Sequence, residues 1–283
     1  MAPLVYLVSA ASSGFGKGIA LEALKRGHKV IATARDSKKI SDLKEKGAVT
    51  LDLDVTQPLS ELHTIIAEAH KVHGKFDILI NAAGFILEGA LEEASPEETL
   101  QSFNVNVFGV LNLTRAVLPY MRAQKSGTIA HFGSIGSWRG VPGASIYGGV
   151  KWAIAGLTES LRAEVEPFGI DVISIEPGYF RTGFLNPGAR QFTENRIQDY
   201  DDTLVGQVRK ALEEKDNTQL GNIELGCKVI ADVLEKRDGR AIPPRLALGS
   251  DAYSVIRAKC EETIQLLDDW KEVTVSTDHA EGS

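Results

Sequence analysis

Leu4-Val5-Tyr6-Leu7-Val8-Ser9-Ala10-Ala11-Ser12-Ser13-Gly14-Phe15-Gly16 stands near the head of the chain, and a helical pattern follows it without a break. The five apolar residues are too short a run for a helix and read as a strand; the small residues after them read as a tight turn. Small side chains there let backbone N–H groups and a helix N-terminus come close to an anionic pyrophosphate. A strand-to-helix connection with no ligand can look the same, so the weight of the motif depends on where the strand sits.

Further strand candidates lie at Lys29 to Thr33, Ala48 to Leu51, Phe76 to Ile80, Gly127 to Phe132, Ile170 to Ile175 and Arg245 to Leu248. Longer amphipathic stretches separate them, with Pro58 and Pro96 placed to open two of the helices. This alternation is the pattern of a parallel sheet wound by right-handed crossovers. The expected fold is therefore α/β, a Rossmann-type doubly wound parallel sheet in a single domain over residues 1–272. Between Gly183 and Asn222 the pattern loosens around Pro187 and Gly188, leaving only a weakly amphipathic piece at Leu204 to Lys215. So long an excursion in a compact domain predicts a substrate lid over 183–222. Helices are expected at Ile223 to Glu235 and Ala252 to Trp270, and residues 273–283 as a flexible tail.

At 283 residues, 43% of them apolar, the chain can bury a sizeable core. A net charge of -7 with both signs mixed offers no footprint for nucleic acid. Cys227 and Cys260 lie far apart in helix-like stretches and suit buried thiols in a reducing compartment. No apolar run approaches membrane-spanning length, and Met1 leads into a strand with no room for a signal peptide, so the cytoplasm is the expected location. His63, His70 and His73 crowd one helix without a supporting carboxylate or cysteine pattern, which predicts a solvated face and no metal site.

Tyr147 and Lys151 are four residues apart in a stretch where Trp152, Ile154, Leu157, Leu161 and Val165 recur at helical spacing, so both fall on one face of a helix running from Tyr147 to Glu166. A surface helix produces such a pair by chance. Beside an ammonium, however, a phenol with a pKa near 10 is shifted toward phenolate and becomes a general acid/base. At the end of the second strand stand Ala34 and Arg35. A carboxylate at position 34 would accept from an adenosine ribose; a small residue followed by arginine leaves room and charge for a 2'-phosphate, which points to NADP(H).

Taken in order, these motifs resemble the short-chain dehydrogenase/reductase family from about Leu4 to Thr182. The family's turn resembles Ser9 to Gly16, its Asp-Val resembles Asp54 and Val55, and its Asn-Ala-Gly resembles Asn81, Ala82, Ala83 and Gly84. Its active-site asparagine falls on Asn106, its catalytic serine, tyrosine and lysine on Ser134, Tyr147 and Lys151, and its Pro-Gly and following threonine on Pro177, Gly178 and Thr182. Glu176 to Thr182 and Pro244 to Asp251 look like the branch similar to 17β-hydroxysteroid dehydrogenases, a label that names no substrate.

The resemblance implies catalysis by Asn106, Ser134, Tyr147 and Lys151. It also implies cofactor contacts from Ser9, Ser12, Ser13, Gly14, Phe15, Gly16, Arg35, Asp54, Val55, Asn81, Ala82, Gly84, Tyr147, Lys151, Pro177, Gly178 and Thr182. Tyr147 would give a proton to a carbonyl oxygen oriented by Ser134, Lys151 would hold the nicotinamide ribose, and Asn106 would anchor a water. The expected activity is NADPH-dependent reduction of a bulky hydrophobic ketone or aldehyde, or the reverse oxidation of an alcohol. A non-redox epimerisation, dehydration or cyclisation on the same fold, or an NADP-sensing protein without turnover, are the alternatives.

Phe85, Trp138, Tyr179 and Phe184 are candidates for an apolar substrate pocket or for core, and no charged residue stands out as a substrate anchor. The resemblance also implies a homodimer or homotetramer through the helices Phe103 to Arg122 and Tyr147 to Phe168, whose apolar positions could equally be spent on the sheet. Ala10 departs from the family, which has glycine there: an alanine is strained if that position is left-handed and at ease otherwise.

Overall fold

Each short apolar run becomes a strand and each amphipathic stretch a helix packed across it. The computed structural model describes residues 2–184, 188–215 and 219–279. Met1, Pro187 of the expected lid and the last four residues of the expected tail lie outside the described residues. The first half runs β1 (Val5–Val8), α1 (Gly14–Lys25), β2 (Lys29–Ala34), α2 (Ser41–Glu45), β3 (Val49–Asp52), α3 (Leu59–His73) and β4 (Ile78–Asn81). Then come β5 (Ile86–Glu88), α4 (Pro96–Phe103), α5 (Gly109–Gln124), β6 (Gly127–Phe132), α6 (Ser145–Val165) and β7 (Ile170–Pro177). The chain ends with β8 (Arg190–Phe192), α7 (Leu204–Lys215), α8 (Ile223–Leu234), β9 (Arg245–Leu248), α9 (Ser250–Asp269) and α10 (Lys271–Val275).

Seven strands form one parallel sheet in the order β3-β2-β1-β4-β6-β7-β9. β1 lies at its centre, with Val8 registered against Ala32 on one side and Ile80 on the other. Successive strands are laid down to one side of β1 and then to the other, so the connections diverge between β1 and β4 and open a crevice at the carboxyl ends of the strands. β1 and β4 are buried along their whole length, as a strand covered on both faces requires. Ile19, Ala20 and Ala23 of α1 join Ile230 and Leu234 of α8 on one face; Leu62 and Ile66 of α3 join Leu113 and Val117 of α5 on the other. Each fully buried leucine or isoleucine contributes about 1.5–3 kcal/mol.

Several sequence expectations differ from the structure. The excursion after Gly183 contains β8, which pairs in parallel with β5 as a separate two-stranded sheet. The tail expected from residue 273 is helical as far as Val275, in α10. Cys260, expected to be buried, is exposed, whereas Cys227 is buried. His70 is not on a solvated face: it is partly buried and stacks on Tyr120 with ring centroids 4.3 Å apart. α6 also starts two residues before Tyr147, at Ser145. Among the described residues no helix is long and apolar enough to cross a membrane.

Candidate active site

The turn after β1 is held from below. Ser9 donates through Oγ to the carbonyl of Ile80 (3.1 Å) and accepts from the N–H of Ala82 (3.0 Å), so the turn is tied to the end of β4. Ala10 takes φ 50°, a left-handed conformation, and Gly14 takes φ 55°. A β-carbon on Gly16 would stand 2.6 Å from the carbonyl oxygen of Ala10, so only glycine lets α1 start this close to the turn. Ser13 precedes α1 but makes no capping bond. The first N–H groups of the helix therefore keep their capacity for an anion.

This turn forms one wall of a cavity of about 850 Å³. Ser12, Ser13, Gly14, Phe15, Gly16, Arg35, Asp54, Val55, Ala82, Gly84, Ser134, Tyr147, Lys151, Pro177, Gly178 and Thr182 all line it. Ser9, Asn81 and Asn106, assigned to the site by resemblance, stand behind the lining. Asn81 is buried and donates to the Thr114 hydroxyl at 3.1 Å. At the far end, Ala34 leaves space and Arg35 is exposed with no ion pair among the described residues. Asp36 next to it is turned away, accepting from the N–H of Lys38 to cap a short 3-10 turn. Lys39, which that turn presents, also lines the cavity; its role was not visible in the sequence because it depends on the turn.

The four catalytic candidates come from three elements. Asn106 sits in a π-helical turn, Asn104–Phe108, joining α4 to α5; π turns are frequent at functional sites. Its side chain accepts from the N–H of Phe85 (3.1 Å) and donates to the carbonyl of Ser102 (2.9 Å). Gly84 keeps the space in front of it open: a β-carbon there would be 2.7 Å from Asn106 Oδ1 and 3.9 Å from Lys151 Nζ. Ser134 follows β6, and its Oγ accepts from the N–H of Gly136 at 3.0 Å, so its own proton is free to be donated. Lys151 is 5% exposed and its Nζ donates to the carbonyl of Phe132 at 2.7 Å while lying 5.5 Å from the centre of the Tyr147 ring.

The electrostatics differ from the sequence expectation. Burial, the largest influence on Tyr147, raises its pKa, while the hydrogen bond with Ser134 lowers it and the nearby Tyr179 raises it further. Burial brings Lys151 down to about 8. The expected lowering by Lys151 is not among the influences on Tyr147; withdrawing the phenol from water disfavours its charged form and sets the direction. At neutral pH Tyr147 holds its proton and Lys151 remains mostly an ammonium.

Of the candidate substrate aromatics, Phe85, Tyr179 and Phe184 line the cavity, and the Phe184 ring lies 5.9 Å from that of Tyr147. Trp138 does not: its indole N–H donates to Glu176 at 2.7 Å and Arg245 stacks over it at 3.9 Å, so it props the Ser134 turn from behind. Leu212 of α7 and Gln191 of β8 bring the excursion into the lining. Arg139, exposed, also lines it, a cation that no motif in the sequence marks. Asp251 supports the site without any motif that marks it. It accepts from the N–H of Tyr179 at 2.7 Å, and a β-carbon on Gly178 would strike it at 2.1 Å. An acid in the first turn of α9 was readable from sequence; its contact with a loop 72 residues earlier was not. Among the described residues no group of His, Cys, Asp and Glu could hold a metal ion.

Comparison with known proteins follows the same outline. The family model for short chain dehydrogenase matches residues 4–191. A 3-ketodihydrosphingosine reductase of Bacteroides thetaiotaomicron is 36% identical over 235 residues, 82% of this chain and 85% of that protein. The crystal structure of a short-chain dehydrogenase from Streptomyces avermitilis superposes with a TM-score of 0.89 at 35% identity, covering 98% of this chain and all of that one. ElxO with NADP bound has a TM-score of 0.72 at 25% identity, covering 89% of this chain and 99% of its own.

Proposed function

We propose, since the chain belongs to the short-chain dehydrogenase/reductase family, that it is an NADPH-dependent reductase of bulky hydrophobic ketones or aldehydes. The observation that carries this reading is the single cavity shared by the phosphate-binding turn and the pair of proton donors, Ser134 and Tyr147. The residues present suit a dinucleotide: the uncapped start of α1 and the approach left by Gly16 fit its pyrophosphate, and Ala34 with Arg35 fits a 2'-phosphate. The family also uses NAD, so the preference for NADP rests on Arg35 and Lys39.

When bound, a reduced nicotinamide supplies the hydride. Ser134 donates to the carbonyl oxygen and fixes its position, and Tyr147 gives up its proton as negative charge develops there. Two positioned donors at a developing alkoxide are worth about 3 kcal/mol each in comparable sites. Lys151, held by the carbonyl of Phe132, keeps a positive charge beneath the ring of Tyr147 and favours the phenolate left behind. Asn106, with both ends of its amide engaged, fixes the wall facing Lys151. Phe85, Tyr179, Phe184 and Leu212 favour an apolar body around the carbonyl, and similarity to a reductase named for a ketodihydrosphingosine supports that class. The described residues of the 183–222 segment, Gly183, Phe184 and 188–215 with 219–222, act as the lid of this pocket. Buried ion pairs fasten them to the body, Glu88 with Arg190 at 2.6 Å and Glu93 with Arg209.

The reading is tested by following NADPH and NADH oxidation against a panel of bulky ketones, with Arg35→Ala alongside. The expected result is turnover with NADPH and a KM for NADPH raised at least about tenfold in the variant, the loss of one charge-assisted phosphate contact of 1.5–3 kcal/mol, with NADH nearly unaffected. Equal losses for the two cofactors would contradict the phosphate role. A protein that binds NADPH tightly and reduces nothing on the panel would contradict the activity.

A further inference from the structure

Among the described residues two arginines line the cavity, Arg35 and Arg139, and neither has an ion pair. Arg35 follows β2, whose Thr33 carbonyl accepts from the N–H of Ala11 in the phosphate-binding turn at 2.9 Å. Arg139 stands instead with the reacting hydroxyls, five residues after Ser134. Its root is fixed: Trp138 before it donates to Glu176 at 2.7 Å under the guanidinium of Arg245, and Ser137 donates to the carbonyl of Lys151 at 3.0 Å. Glu176, the acid of this corner, is taken by Arg245 at 2.6 Å. Arg139 also lies close enough to Tyr179 to act on it. Burial raises the Tyr179 pKa, Arg139 lowers it and Asp251 raises it.

Phe85, Val141, Phe184 and Leu212 give this part of the lining its apolar surface. The one carboxylate in the described lining, Asp54, belongs to the loop after β3 and is occupied by the N–H and hydroxyl of Thr56. A guanidinium beside an apolar pocket loses water when a ligand enters, and no acid of the pocket compensates it. Resting on the reading of this cavity as a carbonyl reductase site, we propose that the apolar body of the substrate ends in a carboxylate, which Arg139 holds while the carbonyl lies against Ser134 and Tyr147. The planar fork of an arginine meets a carboxylate in two parallel bonds. Gripping the far end of the substrate in this way sets the orientation of its carbonyl. The same charge disfavours a substrate whose far end is an ammonium.

The test uses the full chain with NADPH and phenyl alkyl ketones whose alkyl chain, of increasing length, ends in a carboxylate, its methyl ester or an ammonium. In the unaltered protein kcat/KM for the best acid should exceed that for its ester at least about fivefold, mostly through KM, with the ammonium poorest. Arg139→Ala should remove the preference of acid over ester, Arg139→Lys should keep part of it, and Arg139→Glu should make the ammonium the best of the three. Calorimetric titration of acid and ester into the protein loaded with NADP+ should give Kd values in the same ratio, a readout that needs no turnover. An acid that binds no more tightly than its ester, or a ratio that Arg139→Glu leaves unchanged, would overturn the proposal even if neutral ketones are reduced. Arg139 variants that weaken NADPH as Arg35→Ala does would overturn it too, and would give this cation to the cofactor. If nothing in the set is reduced, yet the acid binds in the expected ratio and loses it in Arg139→Glu, the carboxylate site stands and the reductase reading fails.

Discussion

Ala10 stands at φ 50°, where the β-carbon of an L-residue crowds the following carbonyl oxygen. The sequence posed the question, an alanine where the resembling family has glycine, and only the backbone could answer it. Ala10→Gly is expected to stabilise the protein by about 0.5–1 kcal/mol, the left-handed strain less the added freedom of the unfolded chain. A urea midpoint that falls in the variant would contradict the strain. The pair Tyr147 and Lys151 was readable from its spacing, but its electrostatics were not, because burial acts through residues brought from distant parts of the chain. With Lys151 near 8, its ammonium is present below that pH and lost above it. For the reductive direction, kcat/KM should therefore fall about tenfold per pH unit above 8. Lys151→Arg, which stays charged, should lower the rate yet flatten that limb. An alkaline limb that persists in the variant would assign it to another group.

Among the elements, the strands were the most legible, because a strand buried on both faces must be a continuous apolar run between turn signals. β8 was not legible: three residues, Arg190 to Phe192, whose pairing with β5 sets Arg190 against Ile86, 104 residues earlier. Nor could spacing show that Trp138 would meet Glu176 behind the site. A buried polar chain joins the elements under the cavity. Asn81 donates to Thr114, and His131 bridges Thr114 (3.1 Å) and Thr158 (2.9 Å), linking β4, α5, β6 and α6.

Burial pushes His131 down to about 4. Its folded value lies below the unfolded 6.5, so its contribution is complete above pH 6.5 and is lost as pH falls toward 4, by about 3 kcal/mol. Stability from denaturant unfolding at pH 7 and pH 4.5 should therefore drop more in the unaltered protein than in His131→Gln. Equal drops would show that this imidazole is not held neutral.

At the scale of the molecule, the divergence of connections on either side of β1 gathers the site. It brings to one crevice the turn at Ser12 to Gly16, the cations Arg35 and Lys39, the loop from Pro177 to Thr182, and the hydroxyls of Ser134 and Tyr147. Motif order along the chain made this arrangement legible, since the crevice at a reversal of strand order collects the carboxyl ends of strands. The residues that finish the pocket were less so. Leu212 and Gln191 reach it from the excursion, where no periodic pattern marks which side chain faces inward.

On the proposed reading Tyr147 supplies the proton to a carbonyl oxygen that Ser134 positions, and Lys151 favours the phenolate left behind. Tyr147→Phe removes one hydroxyl and leaves the ring beside Phe184. The decisive measurement is NADPH affinity and ketone turnover on the same preparation of this variant. The expected result is an NADPH Kd within about twofold of the unaltered protein, about 0.4 kcal/mol, because the phosphate-binding turn and Arg35 are untouched, with kcat reduced at least about a thousandfold, about 4 kcal/mol of lost stabilisation. Turnover within about tenfold of the unaltered enzyme, with cofactor binding intact, would contradict it.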